Sequence, residues 1–165
     1  MSLIGSLAAK LAAKLDDRTP VFYTADMVVF THRRGRWHVL LIQRRWNPFK
    51  GKLALPGGHV EDETSQDAAV RELSEETGIV IPENVPIELV GVFDVPGRDP
   101  RGRYVSVAYR AILPDAPNPV AADDAAGVDW FPVEVALRAG ERGGLAFDHA
   151  RILTRAINTS TEPGD

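Results

Sequence analysis

Residues 57–79 read Gly57-Gly58-His59-Val60-Glu61-Asp62-Glu63-Thr64-Ser65-Gln66-Asp67-Ala68-Ala69-Val70-Arg71-Glu72-Leu73-Ser74-Glu75-Glu76-Thr77-Gly78-Ile79. Thr64 or Ser65 is suited to cap a helix that runs to Thr77, with Ala69, Val70 and Leu73 on its buried side. Gly78 marks the C-terminus of that helix. Spacings of three and four then put the carboxylates of Glu72, Glu75 and Glu76 on one face. Like charges at those spacings repel by ~0.2–0.5 kcal/mol per pair. Glu75 and Glu76 also lie at the negative end of the helix dipole. Stability alone does not select this arrangement. A solvated acidic face is one reading; a bound cation, which turns the repulsion into attraction, is the other.

Working outward, Tyr23 to Thr31 is rich in β-branched and aromatic residues and predicts a strand. Gly35 predicts a turn within His32 to Arg36, and Trp37 to Gln43 the returning strand. Asn47 to Gly51 reads as a loop, Lys52 to Leu55 as a short strand, and Pro56-Gly57-Gly58 as its end. Ile87 to Val95 and Arg103 to Leu113 predict two more strands, joined by the polar loop Pro96 to Gly102. Pro114 to Asp124 reads as a surface loop, Val128 to Phe131 as a strand, and Pro132 to Arg138 and Phe147 to Ile157 as helices. This order implies an α/β sandwich with a mixed sheet over residues 21–158. Residues 159–165 read as a frayed polar tail.

Leu3, Leu7, Leu11 and Leu15 recur every four residues, with Lys10 and Lys14 between them. Residues 1–20 therefore predict an amphipathic helix that packs on the domain or on a second subunit of a homodimer. Two lysines are thin support for a membrane-surface helix. No apolar run approaches the ~20 residues of a membrane span. A net charge of −4 gives no electrostatic case for a nucleic-acid partner. The absence of cysteine excludes disulfides, thiolate metal sites and cysteine nucleophiles, and a cytoplasmic protein is expected.

Taken as a pattern, Gly57, five residues, Glu63, seven residues, Arg71-Glu72, Leu73, one residue, Glu75-Glu76, one residue, Gly78 and Ile79 match the Nudix box position for position. The chain resembles the Nudix hydrolase superfamily, which implies a Nudix-type α/β/α sandwich. Many Nudix loops carry a further glycine before the first glutamate; here the loop is one residue shorter. The resemblance implies hydrolysis of a nucleoside diphosphate linked to another moiety. It implies Glu75 and Glu76 as principal metal ligands, Glu72 as a further ligand or the general base, and Gly57 as a backbone contributor. Arg71 and Glu63 are expected to form a supporting ion pair. Oxygen donors of this kind suit Mg²⁺, with Mn²⁺ as a substitute, rather than zinc.

Three further segments, residues 47–58, 97–103 and 145–150, look like the ADP-ribose pyrophosphatase branch. That branch includes domains fused to nicotinamide-nucleotide enzymes and NAD-linked regulators. ADP-ribose is the expected substrate, cleaved to AMP and ribose 5-phosphate. Alternatives are a nucleoside triphosphate, another nucleotide sugar, or a non-catalytic nucleotide-sensing module. A regulator needs a DNA-binding domain, for which 165 residues are expected to leave no room, and a sensor does not need an intact box. Arginine forks suit phosphate, so Arg44, Arg98, Arg101 and Arg103 are candidate substrate contacts, with Gly58 and with His149, which would either face the pocket or cap local structure. A loop held by Asp99–arginine pairing is the alternative for the last three arginines. Phe93 or Tyr104 would either stack on a base or fill the core. Arg45 and the late acid Asp124 are further candidates near the site.

Overall fold

The computed structural model describes residues 6–11 and 18–159. Residues 6–11 are helical, with Leu7 and Leu11 exposed. Leu3, Leu15 and Lys14 of the expected N-terminal helix lie outside the described residues, as do residues 160–165 of the expected tail. No helix among the described residues is long and apolar enough to cross a membrane.

Seven strands form one mixed sheet. They are β1 (Val21–Arg33), β2 (Arg36–Arg44), β3 (Leu53–Ala54), β4 (Gly57–His59), β5 (Glu88–Phe93), β6 (Arg103–Leu113) and β7 (Ala125–Pro132). Three helices pack on it: α1 (Ser65–Thr77), α2 (Val133–Glu141) and α3 (His149–Asn158). The main order is β3-β2-β1-β6-β5, with β4 on β1 and β7 on β2. Among these strands β1 and β6 alone pair in parallel, along Val21 to Thr31.

The alternation of β1 sorts the two faces. Ala25, Met27 and Val29 meet Ala68, Ala69 and Leu73 of α1. Val28 and Phe30 meet Ala136 of α2 and Ile152, Leu153 and Ala156 of α3. Full burial of a leucine such as Leu73 contributes about 1.5–3 kcal/mol. Val70, expected on the buried side of α1, is only partly covered at the margin of this cluster.

The edge of β1 opposite β6 is shared. Phe30 to Arg33 pair with β2, whereas Thr24 to Asp26 pair with β4. β1 and β2 part where the Leu55–Gly57 segment enters, and Met27 N–H donates to Pro56 O at 2.9 Å across that gap. The site described below occupies this gap. Gly57 and Gly58 thus continue into a strand, contrary to the expected strand end. Their partner is contributed from more than thirty positions earlier in the chain, so no local pattern announces it.

Candidate active site

Helix α1 carries the acidic wall. Thr64 Oγ1 accepts from Asp67 N–H at 3.1 Å and donates to the Asp67 carboxylate at 2.7 Å. Such a cap stabilises a helix by about 1 kcal/mol. Gly78 ends the helix at φ 69°, a left-handed conformation that favours glycine.

Glu76, in the last turn, is only 3% exposed. Gly57 N–H donates to its Oε2 at 3.0 Å. Burial pushes the Glu76 carboxyl up to about 8; the Gly57 bond opposes this, and Glu72, Asp124 and Asp26 add to it. Glu72 is raised as well, again chiefly by burial. The two acids lie in a wall that lacks positive charge of its own apart from Arg71.

Arg71 gathers the rest of the wall. Its guanidinium reaches Glu63 at 2.7 Å, Glu72 at 2.9 Å and Glu75 at 3.1 Å, and donates to His59 O at 3.0 Å. The expected Arg71–Glu63 pair is present, and the shortened loop still delivers Glu63 to it. Among the described residues, no three acidic or histidine side chains converge as a ready metal cage. Glu72 and Glu75 are turned onto Arg71, and Glu76 onto Gly57. The donor set nevertheless fits a hard divalent cation: several carboxylates, one of them buried and short of positive partners.

At Gly57 a glycine is required by backbone contact, whereas at Gly58 the neighbour is a side chain. A Cβ on Gly57 would lie 2.4 Å from Ala25 O, and one on Gly58 2.4 Å from Glu72 Oε1. β4 thus runs against the acidic wall at a distance that side chains would prevent.

Arg44, Arg98, Arg101, Tyr104, Phe147 and Asp124 line a cleft that Gly57, Gly58, Asp26 and His149 also border. Arg98 is bound bidentately to Asp148, at 2.6 and 3.1 Å, and its side chain is 5% exposed. It is a structural strut rather than the free phosphate fork expected. Arg101 pairs with Asp99 at 2.7 Å and lies over Tyr104 at 4.8 Å. Burial opposes ionisation of Asp99, but the Arg101 side-chain and backbone bonds hold it below its ordinary value. Asp99–arginine pairing, the alternative reading, therefore holds for Arg101. Arg103 donates to Asp94 O and lies outside the cleft lining.

Arg44 differs from these. Its Nε donates to Pro48 O at 2.8 Å, and its guanidinium lies 4.8 Å from the Phe147 ring centre. No carboxylate bridges to it among the described residues. Burial first, and Arg101 second, hold it below the usual guanidinium value. It is a half-buried cation with open donors facing the cleft.

Phe93 is core, 4% exposed. Tyr104 is buried too and stacks on Phe22 at 4.8 Å. Arg45 is exposed and donates to Ala125 O. His149, expected to contact substrate, is 4% exposed, and its Nδ1 accepts from Leu55 N–H at 2.9 Å.

Asp26 and Phe147 are among the cleft residues that escaped the sequence reading. Asp26 is a buried acid in the apolar run of β1, and its interruption of that run was the available signal. Phe147 has φ 50° and meets Phe49, φ 61°, edge to face at 4.9 Å. Such backbone costs of order 1–3 kcal/mol for a non-glycine residue and clusters at functional sites. It lies in the segment 145–150 that the resemblance singles out, but nothing in that segment marks its backbone conformation.

Known proteins are similar to this chain in sequence and in fold. The chain is 42% identical over 117 residues to the ADP-ribose pyrophosphatase of Methanocaldococcus jannaschii, covering 70% of this chain and 63% of that protein. It is 36% identical over 147 residues to the ADPR responsive transcriptional repressor NtrR of Acinetobacter baylyi, covering 87% and 56%. The chain thus spans about three fifths of the length of these curated relatives. Among solved structures it is similar to the NUDIX domain of Shewanella oneidensis NrtR complexed with ADP ribose, with TM-score 0.75 and 31% identity, covering 89% of this chain and 96% of that one. A bifunctional NMN adenylyltransferase/ADP ribose pyrophosphatase of Francisella tularensis gives TM-score 0.75 and 31% identity, covering 93% and 45%. The NUDIX domain family model matches residues 22–155, which include all seven strands' pairing core, the acidic wall and the cleft. With the box, the fold and these matches in agreement, the chain belongs to the NUDIX domain family.

Proposed function

We propose that this chain is a divalent-metal-dependent diphosphatase that cleaves ADP-ribose to AMP and ribose 5-phosphate. The observation that carries the reading is the meeting of an acidic wall and a cationic cleft at Gly57 and Gly58. Gly57 N–H holds Glu76 and Gly58 abuts Glu72 on the acidic wall, and the same two glycines border the cleft lined by Arg44, a cation without a carboxylate partner among the described residues. A diphosphate needs both: cations on its oxygens, and carboxylates to hold the metal that shields its charge. The relatives named for ADP-ribose support the choice of substrate.

In this reading Glu72, Glu75 and Glu76, with the Gly57 backbone, hold Mg²⁺ or Mn²⁺. The bound metal supplies charge neutralisation and a lowered pKa for the attacking water. Glu72 and Glu75, which would hold the metal, are bonded to Arg71, whose further bonds to Glu63 and His59 O keep α1 aligned with β4. Arg44 holds phosphate oxygens by charge-assisted bonds, and the Phe147 ring keeps its guanidinium in plane. Water forms a new P–O bond, the bridging oxygen leaves with the other phosphate, and one proton is released to a base. We place the enzyme in the cytoplasm, with Leu7 and Leu11 open to a second copy.

The NtrR relative favours a second reading, a module that binds ADP-ribose without turnover. The complete set of box acids weighs against it. A panel of ADP-ribose, NADH, ADP-glucose, diadenosine polyphosphates, dGTP and 8-oxo-dGTP, with Mg²⁺ and with Mn²⁺, decides. ADP-ribose should lead; preference for a triphosphate would overturn the substrate, and tight binding without turnover would favour the module.

A further inference from the structure

The floor of the cleft includes a buried polar group that the proposed chemistry leaves unused. His149 is the first residue of α3. Its Nδ1 accepts the Leu55 N–H, so the proton of the neutral ring is on Nε2. Nε2 faces Asp26 Oδ1 at 3.6 Å, too far for a hydrogen bond, and the other Asp26 oxygen accepts from Ser106 Oγ at 2.5 Å. Asp26, Ser106 and His149 are all buried, at 6%, 0% and 4% exposure.

The Leu55–Gly57 segment carries one backbone tie at each residue. Leu55 N–H goes to His149, Pro56 O receives Met27 N–H, and Gly57 N–H goes to Glu76. The first tie is to a side chain from the opposite layer of the sandwich; the last is to the acidic wall. Leu55 is 2% exposed, so without His149 its N–H is orphaned and the segment must shift to find an acceptor. Proline fixes its own φ, so a displacement at Leu55 passes to Gly57 with little absorption.

The geometry points to His149 as a positioning residue that sets Gly57 against Glu76 through Leu55, with Asp26 buried beside its Nε2. This assigns His149 a role other than substrate contact. It rests on the hydrolase reading only for its kinetic arm; its metal-binding arm is separate.

The test compares two amides. In His149→Asn the side-chain oxygen takes the place of Nδ1 and keeps the acceptor; in His149→Gln the amide extends toward the Nε2 position and the acceptor is lost. Activity on ADP-ribose and Mn²⁺ affinity by binding titration are read in both, with thermal melts to establish folding. His149→Asn should stay within about threefold of wild type in kcat, whereas His149→Gln should lose kcat by roughly 10²-fold with KM little changed. Its Mn²⁺ affinity should fall by roughly tenfold. His149→Leu, which also removes the acceptor, replaces the glutamine variant if that does not fold. Equal behaviour of the Asn and Gln variants, or loss of folding in both Gln and Leu variants, would overturn the proposal. If the wild-type protein binds Mn²⁺ but hydrolyses nothing, the hydrolase reading fails and the Mn²⁺ comparison still judges His149. No Mn²⁺ binding by wild type would sink both.

Discussion

Replacing Glu76 with glutamine should stabilise the metal-free protein and abolish its activity. The carboxyl of Glu76 is raised from 4.5 to about 8 by burial. A folded-state pKa above the unfolded value makes a contribution that is fully present below about pH 4.5 and is lost as pH rises through about 8. At about 1.36 kcal/mol per pH interval of one, the whole difference amounts to a ceiling of about 5 kcal/mol above pH 8. Relaxation around the charge reduces this, and about 2 kcal/mol is a reasonable expectation. Glutamine keeps an oxygen for Gly57 N–H and removes the charge. For a chain of this size about 2 kcal/mol corresponds to a rise in Tm of roughly 4–8 °C. Thermal melts in EDTA at pH 8.5 should show that rise, and melts at pH 4.5 should not. Adding Mg²⁺ should raise the Tm of wild type and leave the variant unmoved. Hydrolysis by the variant should fall by roughly 10³-fold, several kcal/mol of transition-state stabilisation. A variant that melts lower than wild type in EDTA at pH 8.5, or that retains activity, would refute the assignment of Glu76 as a buried carboxylate waiting for a cation.

Other substitutions separate structural from chemical roles. Gly57→Ala sets a Cβ against the backbone oxygen of Ala25, which cannot yield, and should cost about 3 kcal/mol in urea unfolding. Gly58→Ala meets only the end of Glu72, a side chain that can move, so it should fold normally yet lose most of its hydrolysis. Arg44→Ala should raise KM for ADP-ribose by roughly tenfold or more with a smaller change in kcat, measured by steady-state kinetics. Arg98→Ala should instead destabilise by about 3 kcal/mol, because it strands the Asp148 carboxylate. Arg71→Lys should not rescue Arg71→Ala in kcat, since one ammonium cannot serve Glu63 and His59 O in the same geometry.

The parts of the fold legible in sequence are those with local causes. α1 was bounded by Thr64 and Gly78, whose roles are set by neighbours within four residues. The Arg71–Glu63 pair was legible because the box fixes its spacing. β4 was not, because Gly57 and Gly58 have low strand propensity and form a strand only through contact with Thr24 to Asp26. The cleft arginines were legible as residue types but not as roles. What distinguishes Arg98 from Arg44 is Asp148, fifty positions away, and no spacing rule reaches it. Likewise the bond from Leu55 to His149 joins residues 94 positions apart, so the same histidine looked equally suited to substrate or to scaffold.

The central claim is that the acidic wall and the Arg44 cleft act together on one diphosphate. It is tested most directly by incubating the protein with ADP-ribose and Mg²⁺ and following the products by ³¹P NMR. The account predicts conversion to AMP and ribose 5-phosphate in equal amounts, stopped by EDTA and lost in Glu76→Gln. Unchanged ADP-ribose in the presence of Mg²⁺ and of Mn²⁺, with binding retained, would contradict it.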